Sequence, residues 1–241
     1  MKPIIAIANN KGGAGKTATA LHLGWCMAGM GHPVTLVDGD GQANLTANLG
    51  IADHGLGLAD LLAGGAVDYF HLAHWPADLR LITGDARLDD TAAEMTIHPL
   101  RLSRLATALA AQTYNGGTVL IDTPPNVGAL VLAALVAATH VIIPAVPVAE
   151  SIAGVRRTLQ LLDEMRREMG RAPVVLGIVA THVQHETRLH QTGLDALDAF
   201  GLPILGCIPH RVGRDAESQL RAAYAPVATR LLGYPDQGGA Q

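Results

Sequence analysis

The residues best placed to do chemistry form one short stretch, Asn9-Asn10-Lys11-Gly12-Gly13-Ala14-Gly15-Lys16-Thr17. It follows the apolar run Ile4-Ile5-Ala6-Ile7-Ala8 and precedes a helical pattern that begins near Thr17. Strand, glycine-rich turn and helix N-terminus together make a phosphate cradle. Glycines let backbone N–H groups converge on an anion without interference from Cβ atoms. The helix that starts there adds unpaired N–H donors and the positive end of its dipole. Lys16 supplies a point charge for β- and γ-phosphates, and the Thr17 hydroxyl is a Mg²⁺ ligand. One such lysine–phosphate contact is worth roughly 4 kcal/mol at about 4 Å and an effective dielectric near 20. The general phosphate-loop pattern wants glycine where Asn10 stands; this loop instead carries a second lysine, Lys11, before the glycine pair.

Two further stretches carry carboxylates. Val37-Asp38-Gly39-Asp40-Gly41-Gln42-Ala43-Asn44-Leu45-Thr46 directly follows a second apolar strand. Carboxylates at the C-terminal edge of a strand beside a phosphate loop can orient an attacking water and help hold Mg²⁺ through water. Val119-Leu120-Ile121-Asp122-Thr123-Pro124-Pro125 ends another apolar strand in an aspartate, the arrangement that holds a water of the Mg²⁺ shell.

The elements that must position these groups alternate along the chain. After a first helix (about Thr17–Met30) and a turn at Gly31-His32-Pro33, Pro33–Val37 reads as strand two. Helix is expected over Leu56–Gly64, strand over Asp78–Thr83, helix over Leu100–Gln112, then a turn at Asn115-Gly116-Gly117 and strand Thr118–Ile121. A helix from about Val127, strand Val141–Ile143, helix Ile152–Met169, strand Val174–Ala180, helix Leu189–Phe200 and strand Pro203–Ile208 follow. Short strands separated by helices predict an α/β fold: a doubly wound, mostly parallel sheet flanked by helices on both faces. Residues 1–234 are expected to form one domain, with Pro235–Gln241 a frayed tail.

Composition narrows the function classes. The chain has 241 residues, 49% hydrophobic and 16% charged, which fits a globular domain. A net charge of −4 and a pI of about 6.2 give no strongly basic field, so any nucleic-acid contact must come from a local patch. Cys26 and Cys207 are single, far apart, and read as buried small thiols in a reducing cytosol. The apolar run from Val127 to Ala149 contains His140, Pro144 and Pro147 and divides into a helical part and a β-branched part, so it reads as core and not as a membrane span. No signal peptide is visible. His71/His74 and His182/His185 have spacings a metal could use on a helix, but no cysteine or carboxylate framework accompanies them.

The Lys11-Gly12-Gly13-Ala14-Gly15-Lys16-Thr17 box resembles the deviant Walker A motif of the ParA/MinD ATPases, a P-loop NTPase family. Asp38 to Thr46 resembles the Walker A′ box of ParA proteins, with Gly41 in place of the usual proline. Asp122-Thr123-Pro124-Pro125, Ala134–Thr139, Ile142–Pro144 and Pro147–Gly154 continue the ParA pattern. Gly177–Thr181 with Glu186–Leu189, and Cys207–Val212, resemble segments near the adenine in the short, Soj-like branch; His210 and Arg211 stand where arginine and asparagine are usual.

That resemblance implies ATP and Mg²⁺ as cofactors. The nucleotide is expected on Lys11, Gly12, Gly13, Ala14, Gly15, Lys16, Thr17, Ala18, Pro209 and Arg211, and the metal near Thr17, Asp38 and Asp122. Lys11, Lys16 and Asp40 are the expected catalytic groups, Lys11 reaching the partner's nucleotide in an ATP-bound homodimer. The family implies non-specific DNA binding, with Arg188, Arg214, Arg221 and Arg230 as candidate contacts, and release by a ParB-like activator in the cytoplasm, on the nucleoid. His182, His185 and His190 could strengthen a DNA contact at mildly acidic pH. The cargo could be a chromosome, a plasmid or a protein assembly. Two alternatives stand beside this reading. A MinD-like membrane-surface regulator wants a basic amphipathic C-terminal helix, of which Tyr224–Gln241 offers only Arg230. A reductase or P-loop ligase relative would need paired cluster cysteines, or a small substrate and a reason for Lys11.

Overall fold

The computed structural model describes residues 3–52, 55–71, 73–111, 117–184, 186–213 and 215–233. Its strands are β1 (Ile4–Ile7), β2 (Val34–Asp38), β3 (Leu79–Ile82), β4 (Thr118–Asp122), β5 (His140–Ala145), β6 (Val174–Val183) and β7 (Ile204–Pro209). Its helices are α1 (Lys16–Gly29), α2 (Asn44–Asn48), α3 (Leu58–Ala63), α4 (Arg87–Ile97), α5 (Arg104–Ala111), α6 (Ala129–Ala137), α7 (Ala149–Met169), α8 (Arg188–Asp198) and α9 (Ala216–Leu232). The strands form one sheet in the order β3-β2-β4-β1-β5-β6-β7, and every neighbouring pair is parallel. Parallel neighbours need crossovers, and a sheet covered on both faces needs strands apolar on both sides.

The period-2 alternation of strand side chains divides the core. Ile5, Ile7, Leu36, Leu120, Ile142 and Val179 point to the face covered by α1, α2 and α9. Their neighbours Val37, Val119 and Ile121 meet α3 to α6, while Ala6, Val141, Ile143, Ile178 and Ala180 meet α6 to α8. Burying one such Ile, Leu or Val side chain contributes about 1.5–3 kcal/mol before entropy, so neither face can be left bare. The helix α6 is apolar all round and lies in both clusters of its face.

The α/β architecture is the one expected. The apolar run from 127 to 149 is split between α6 and β5, and no helix among the described residues is long and apolar enough to cross a membrane. The expected helix over Leu100–Gln112 is instead a 3₁₀ turn, Pro99–Ser103, followed by α5; Gln112 and the expected turn residues Asn115 and Gly116 lie outside the described residues. The helices α2, α4 and α9 were not expected. In α4 only Leu88 and Met95 are buried, too thin a stripe to read. In α9 the interior Pro226 interrupts a legible pattern, Tyr224, Val227, Ala228 and Leu231. Of the two thiols expected in the core, Cys207 is exposed and Cys26 half-buried.

Candidate nucleotide site

The central strand β1 delivers the chain into the loop. Asn9, 3% exposed, donates from Nδ2 to the Pro144 carbonyl at 2.6 Å, fastening the exit of β1 to β5. The Lys11 N–H folds back onto the Asn9 carbonyl at 2.8 Å. Gly13 and Gly15 lie at φ 74° and 84°, the left-handed region that favours glycine and turns successive N–H groups to one side. Between them Ala14 is buried, and its carbonyl accepts the Thr181 hydroxyl of β6 at 2.9 Å. The helix α1 begins at Lys16, with Thr17 and Ala18 half-buried in its first turn. Lys16 is 7% exposed, and its Nζ donates to the Lys11 carbonyl at 3.1 Å. Burial lowers its pKa; Asp122 and then Asp40 act against that shift. Lys11 lies exposed on the same loop.

Strand register brings the two buried carboxylates together, Asp38 of β2 directly opposite Asp122 of β4. Both are fully buried, but their surroundings differ. Asp38 Oδ2 accepts the Thr46 N–H at 2.8 Å and the Thr46 hydroxyl at 2.7 Å, while Oδ1 accepts the Asp40 N–H at 3.3 Å. Burial raises the Asp38 pKa and these hydrogen bonds oppose it. Thr46 Oγ1 in turn accepts the Gly84 N–H at 3.1 Å, so the ends of β2 and β3 are tied through one hydroxyl. Neither oxygen of Asp122 has a hydrogen-bond partner of good geometry among the described residues. Burial pushes its carboxyl up to about 8; the nearby Thr17 hydroxyl and Lys16 act against the shift, and Asp38 and Asp40 add to it.

A buried acid with two orphaned oxygens beside a hydroxyl is a poor structural element and a good hard-cation site. The donor set therefore fits Mg²⁺, with Asp122 and Thr17 the open donors and Asp38 already committed to Thr46. Asp40, half-buried, accepts the Gln42 N–H at 3.0 Å and lies close enough to act on Lys16. At Gly41, where proline is usual in the box this segment resembles, a Cβ would come 2.7 Å from Asp89 Oδ1 of α4.

The remaining candidates are scattered. Pro209 ends β7 beside Val183, and Arg211 follows it, exposed. The His182 and His210 rings lie 5.6 Å apart on that edge. His190 is buried, with Nδ1 accepting the Gln184 N–H at 3.0 Å, so its ring is committed within the fold; His185 lies outside the described residues. Arg188 is exposed at the start of α8. The Arg221 guanidinium stacks 3.8 Å over Trp25 and lies 3.6 Å from Glu217, and Arg230 donates to the Ile204 carbonyl at 3.2 Å. Arg214 lies outside the described residues. His71 is held by the Leu79 carbonyl at 2.9 Å, and among the described residues no three or more His, Cys, Asp and Glu side chains come together as a metal-binding group. The role of Thr181 in bracing Ala14 and the bonds of Asn9 carry no local sequence signal, because both partners are distant in the chain.

Sheet order, left-handed glycine loop, buried lysine and paired carboxylates define a P-loop nucleotide-binding protein. An AAA domain family model, AAA_31, matches residues 2–172. The chain is 32% identical over 222 residues to the chromosome partitioning protein ParA of Caulobacter vibrioides, covering 89% of this chain and 83% of that one. It is 35% identical over 215 residues to the chromosome-partitioning ATPase Soj of Thermus thermophilus, with the same coverage of 89% and 83%. The crystal structure of cobyrinic acid a,c-diamide synthase from Mycobacterium smegmatis with bound ATP analog and magnesium superposes with a TM-score of 0.85 at 28% identity, over 96% of this chain and 95% of that one. The chain belongs to the ParA/Soj family of partition ATPases.

Proposed function

We propose that the protein is a Mg²⁺-dependent ATPase that works as a dimerisation switch in chromosome or plasmid segregation. The observation that carries this reading is the contrast between the two lysines of one loop. Lys16 is buried among Asp122 and Asp40, where it can serve only its own nucleotide. Lys11 is exposed, and among the described residues its ammonium has no hydrogen-bond or ion-pair partner. A cation left outward at the rim of a phosphate cradle suits a second copy's triphosphate. Two copies then close over two nucleotides, each lending Lys11 to the other.

Within each copy the loop N–H groups from Gly12 to Thr17 and the Lys16 ammonium hold the phosphates, with Ala18 in the first turn of α1 and Pro209 and Arg211 on the base side. Asp122 and Thr17 hold the cation, with Asp38 supporting through Thr46 and Asp40. A Mg²⁺ ion held by these residues would offset the negative charge of the phosphates. Asp40 orients the attacking water, and Lys11 supplies positive charge where negative charge develops on the leaving oxygens. Loss of the γ-phosphate removes what bridges the copies, so the dimer opens.

The ATP-bound dimer binds DNA without sequence preference, and a ParB-like activator triggers hydrolysis. Arg188 has its head group outward; Arg221 and Arg230 would contribute only by leaving the contacts they make within the fold. Doubling weak contacts across a two-fold makes such binding ATP-dependent and salt-sensitive. The protein then resides in the cytoplasm, on the nucleoid. A membrane-surface role is disfavoured, because the apolar face of α9 is buried against the core. DNA retention with ATP, ADP and no nucleotide tests the reading, using wild type, Lys11→Ala and Asp40→Ala. Retention is expected only with ATP, lost in the lysine variant and prolonged in the aspartate variant; equal retention in all nucleotide conditions would reject the switch.

A further inference from the structure

The helix α7 passes the phosphate loop with one face turned to a short part of it. Gly154, Arg157 and Thr158 share that face, at spacings of three and four residues. Gly154 is buried, and a Cβ there would come 2.1 Å from Asn9 Oδ1 and 3.2 Å from Lys11 Cβ. The Asn10 N–H donates to Thr158 Oγ1 at 3.3 Å, and the Thr158 hydroxyl donates to the Gly154 carbonyl at 3.0 Å. Arg157 Nη2 donates to the Asn10 carbonyl at 3.1 Å. Both polar groups of the Asn10 backbone are therefore held by α7.

The phosphate-wrapping glycines come after Lys11, and Lys16 stands on α1. These contacts converge on the residues that set where Lys11 leaves the backbone. A lysine side chain is long and flexible, so its reach is defined only if its Cα and the peptide before it are fixed. Fixing them in the monomer removes part of the ordering cost from the encounter of two copies.

We propose that Arg157 is a positioning residue for Lys11, acting through the Asn10 carbonyl, and that α7 thereby sets how readily two nucleotide-loaded copies close. This rests on the reading that Lys11 acts across a dimer. The arginine is exposed and outside the cradle, so its loss leaves the fold and the protomer's own nucleotide contacts in place.

The test uses the full chain as wild type, Arg157→Ala, Arg157→Lys, Thr158→Val and Lys11→Ala. Titration calorimetry measures ADP affinity, and analytical ultracentrifugation measures dimer formation with Mg²⁺ and a non-hydrolysable ATP analogue. Arg157→Ala is expected to keep ADP affinity within about twofold and to weaken dimerisation roughly tenfold, about 1.4 kcal/mol of lost pre-ordering shared between the two copies. Arg157→Lys, which keeps a cationic donor, recovers part of the loss. Thr158→Val, which removes the acceptor for the Asn10 N–H without changing surface charge, shows the same split. Normal dimerisation of Arg157→Ala beside a defective Lys11→Ala would overturn the positioning role and leave the switch standing. Normal dimerisation of Lys11→Ala would overturn both. Equal loss of ADP affinity and dimerisation in Arg157→Ala would make the arginine a support of the cradle, and a defect in Arg157→Ala but not in Thr158→Val would make it a surface charge; either result rejects the proposal.

Discussion

The edge of the sheet where β1, β2 and β4 end differs in kind from the edge where β6 and β7 end. On the first, Asp38 and Asp122, the last residues of β2 and β4, and Lys16, the first of α1, are all buried. On the second, His182, His210 and Arg211 are exposed, and the nearby arginines of α9 lie on Trp25, Glu217 and the Ile204 carbonyl. Burial makes an ionic group costly unless it works, so the first edge holds groups kept for chemistry. The second holds groups whose partners water could replace, and such groups can drift without loss of fold.

That contrast can be broken by substitution. Lys16→Ala should have the largest effect, lowering ATP affinity by about a hundredfold or more, since a contact of roughly 4 kcal/mol is removed; calorimetric titration with ATP checks it, and a change under fivefold would place the phosphate elsewhere. Asp122→Asn should raise the stability of the nucleotide-free protein by about 1–3 kcal/mol, because an acid that must take up a proton to stay buried is replaced by an amide that needs none. The same variant should lose the Mg²⁺ dependence of ATP binding. Urea unfolding with and without Mg·ATP reads both effects, and a destabilised apo variant would contradict the picture of Asp122 as an unsatisfied acid.

On the opposite side, Arg221→Ala should cost about 1 kcal/mol of stability through loss of the Trp25 stack and the Glu217 pair. It should change DNA retention by less than threefold. A larger fall in retention at unchanged stability would mean that Arg221 leaves Trp25 to meet DNA, and the two edges would be less distinct than they look.

The smallest effect concerns His22, which is 2% exposed beneath α9, stacked on Tyr224, 4.0 Å from Glu217 and near Arg221. Burial lowers its pKa, Glu217 opposes this, and Arg221 adds to it. Its contribution is complete above its unfolded pKa of about 6.5 and is lost as pH falls from there through the folded value. Stability should therefore rise between pH 5 and 7, and His22→Gln should flatten that slope. A slope unchanged in the variant would assign the pH dependence to other groups.

Much of the first edge was legible in the chain because its chemistry is local. Lys11 to Thr17 carries glycines, lysine and hydroxyl within one turn of backbone, and Asp38 and Asp122 each end an apolar run. What was not legible depends on partners far apart in sequence. Asp38 read as a carboxylate that helps hold Mg²⁺ through water; that its oxygens also accept from Thr46 and Asp40 is a bonding pattern that only the folded loop defines. The bracing of Ala14 by Thr181 and of Asn10 by Arg157 and Thr158 spans most of the chain. Among the elements, α4 was hidden by its sparse apolar stripe and α9 by Pro226. Of the arginines read as candidate DNA contacts, Arg221 and Arg230 make contacts within the fold that no local pattern announces.

The tie from Asp38 through Thr46 to Gly84 has a mechanical meaning. The segment between residues 39 and 45 is pinned at one end by the last residue of β2 and at the other by a threonine bonded to that same residue. A span fastened at neighbouring posts cannot peel away from either side. Its own peptide groups are tied as well, the Asp40 N–H to Asp38 Oδ1 and the Gly39 N–H to the Asp122 carbonyl, so the Asp40 carboxylate leaves the backbone from a point clamped to both buried acids.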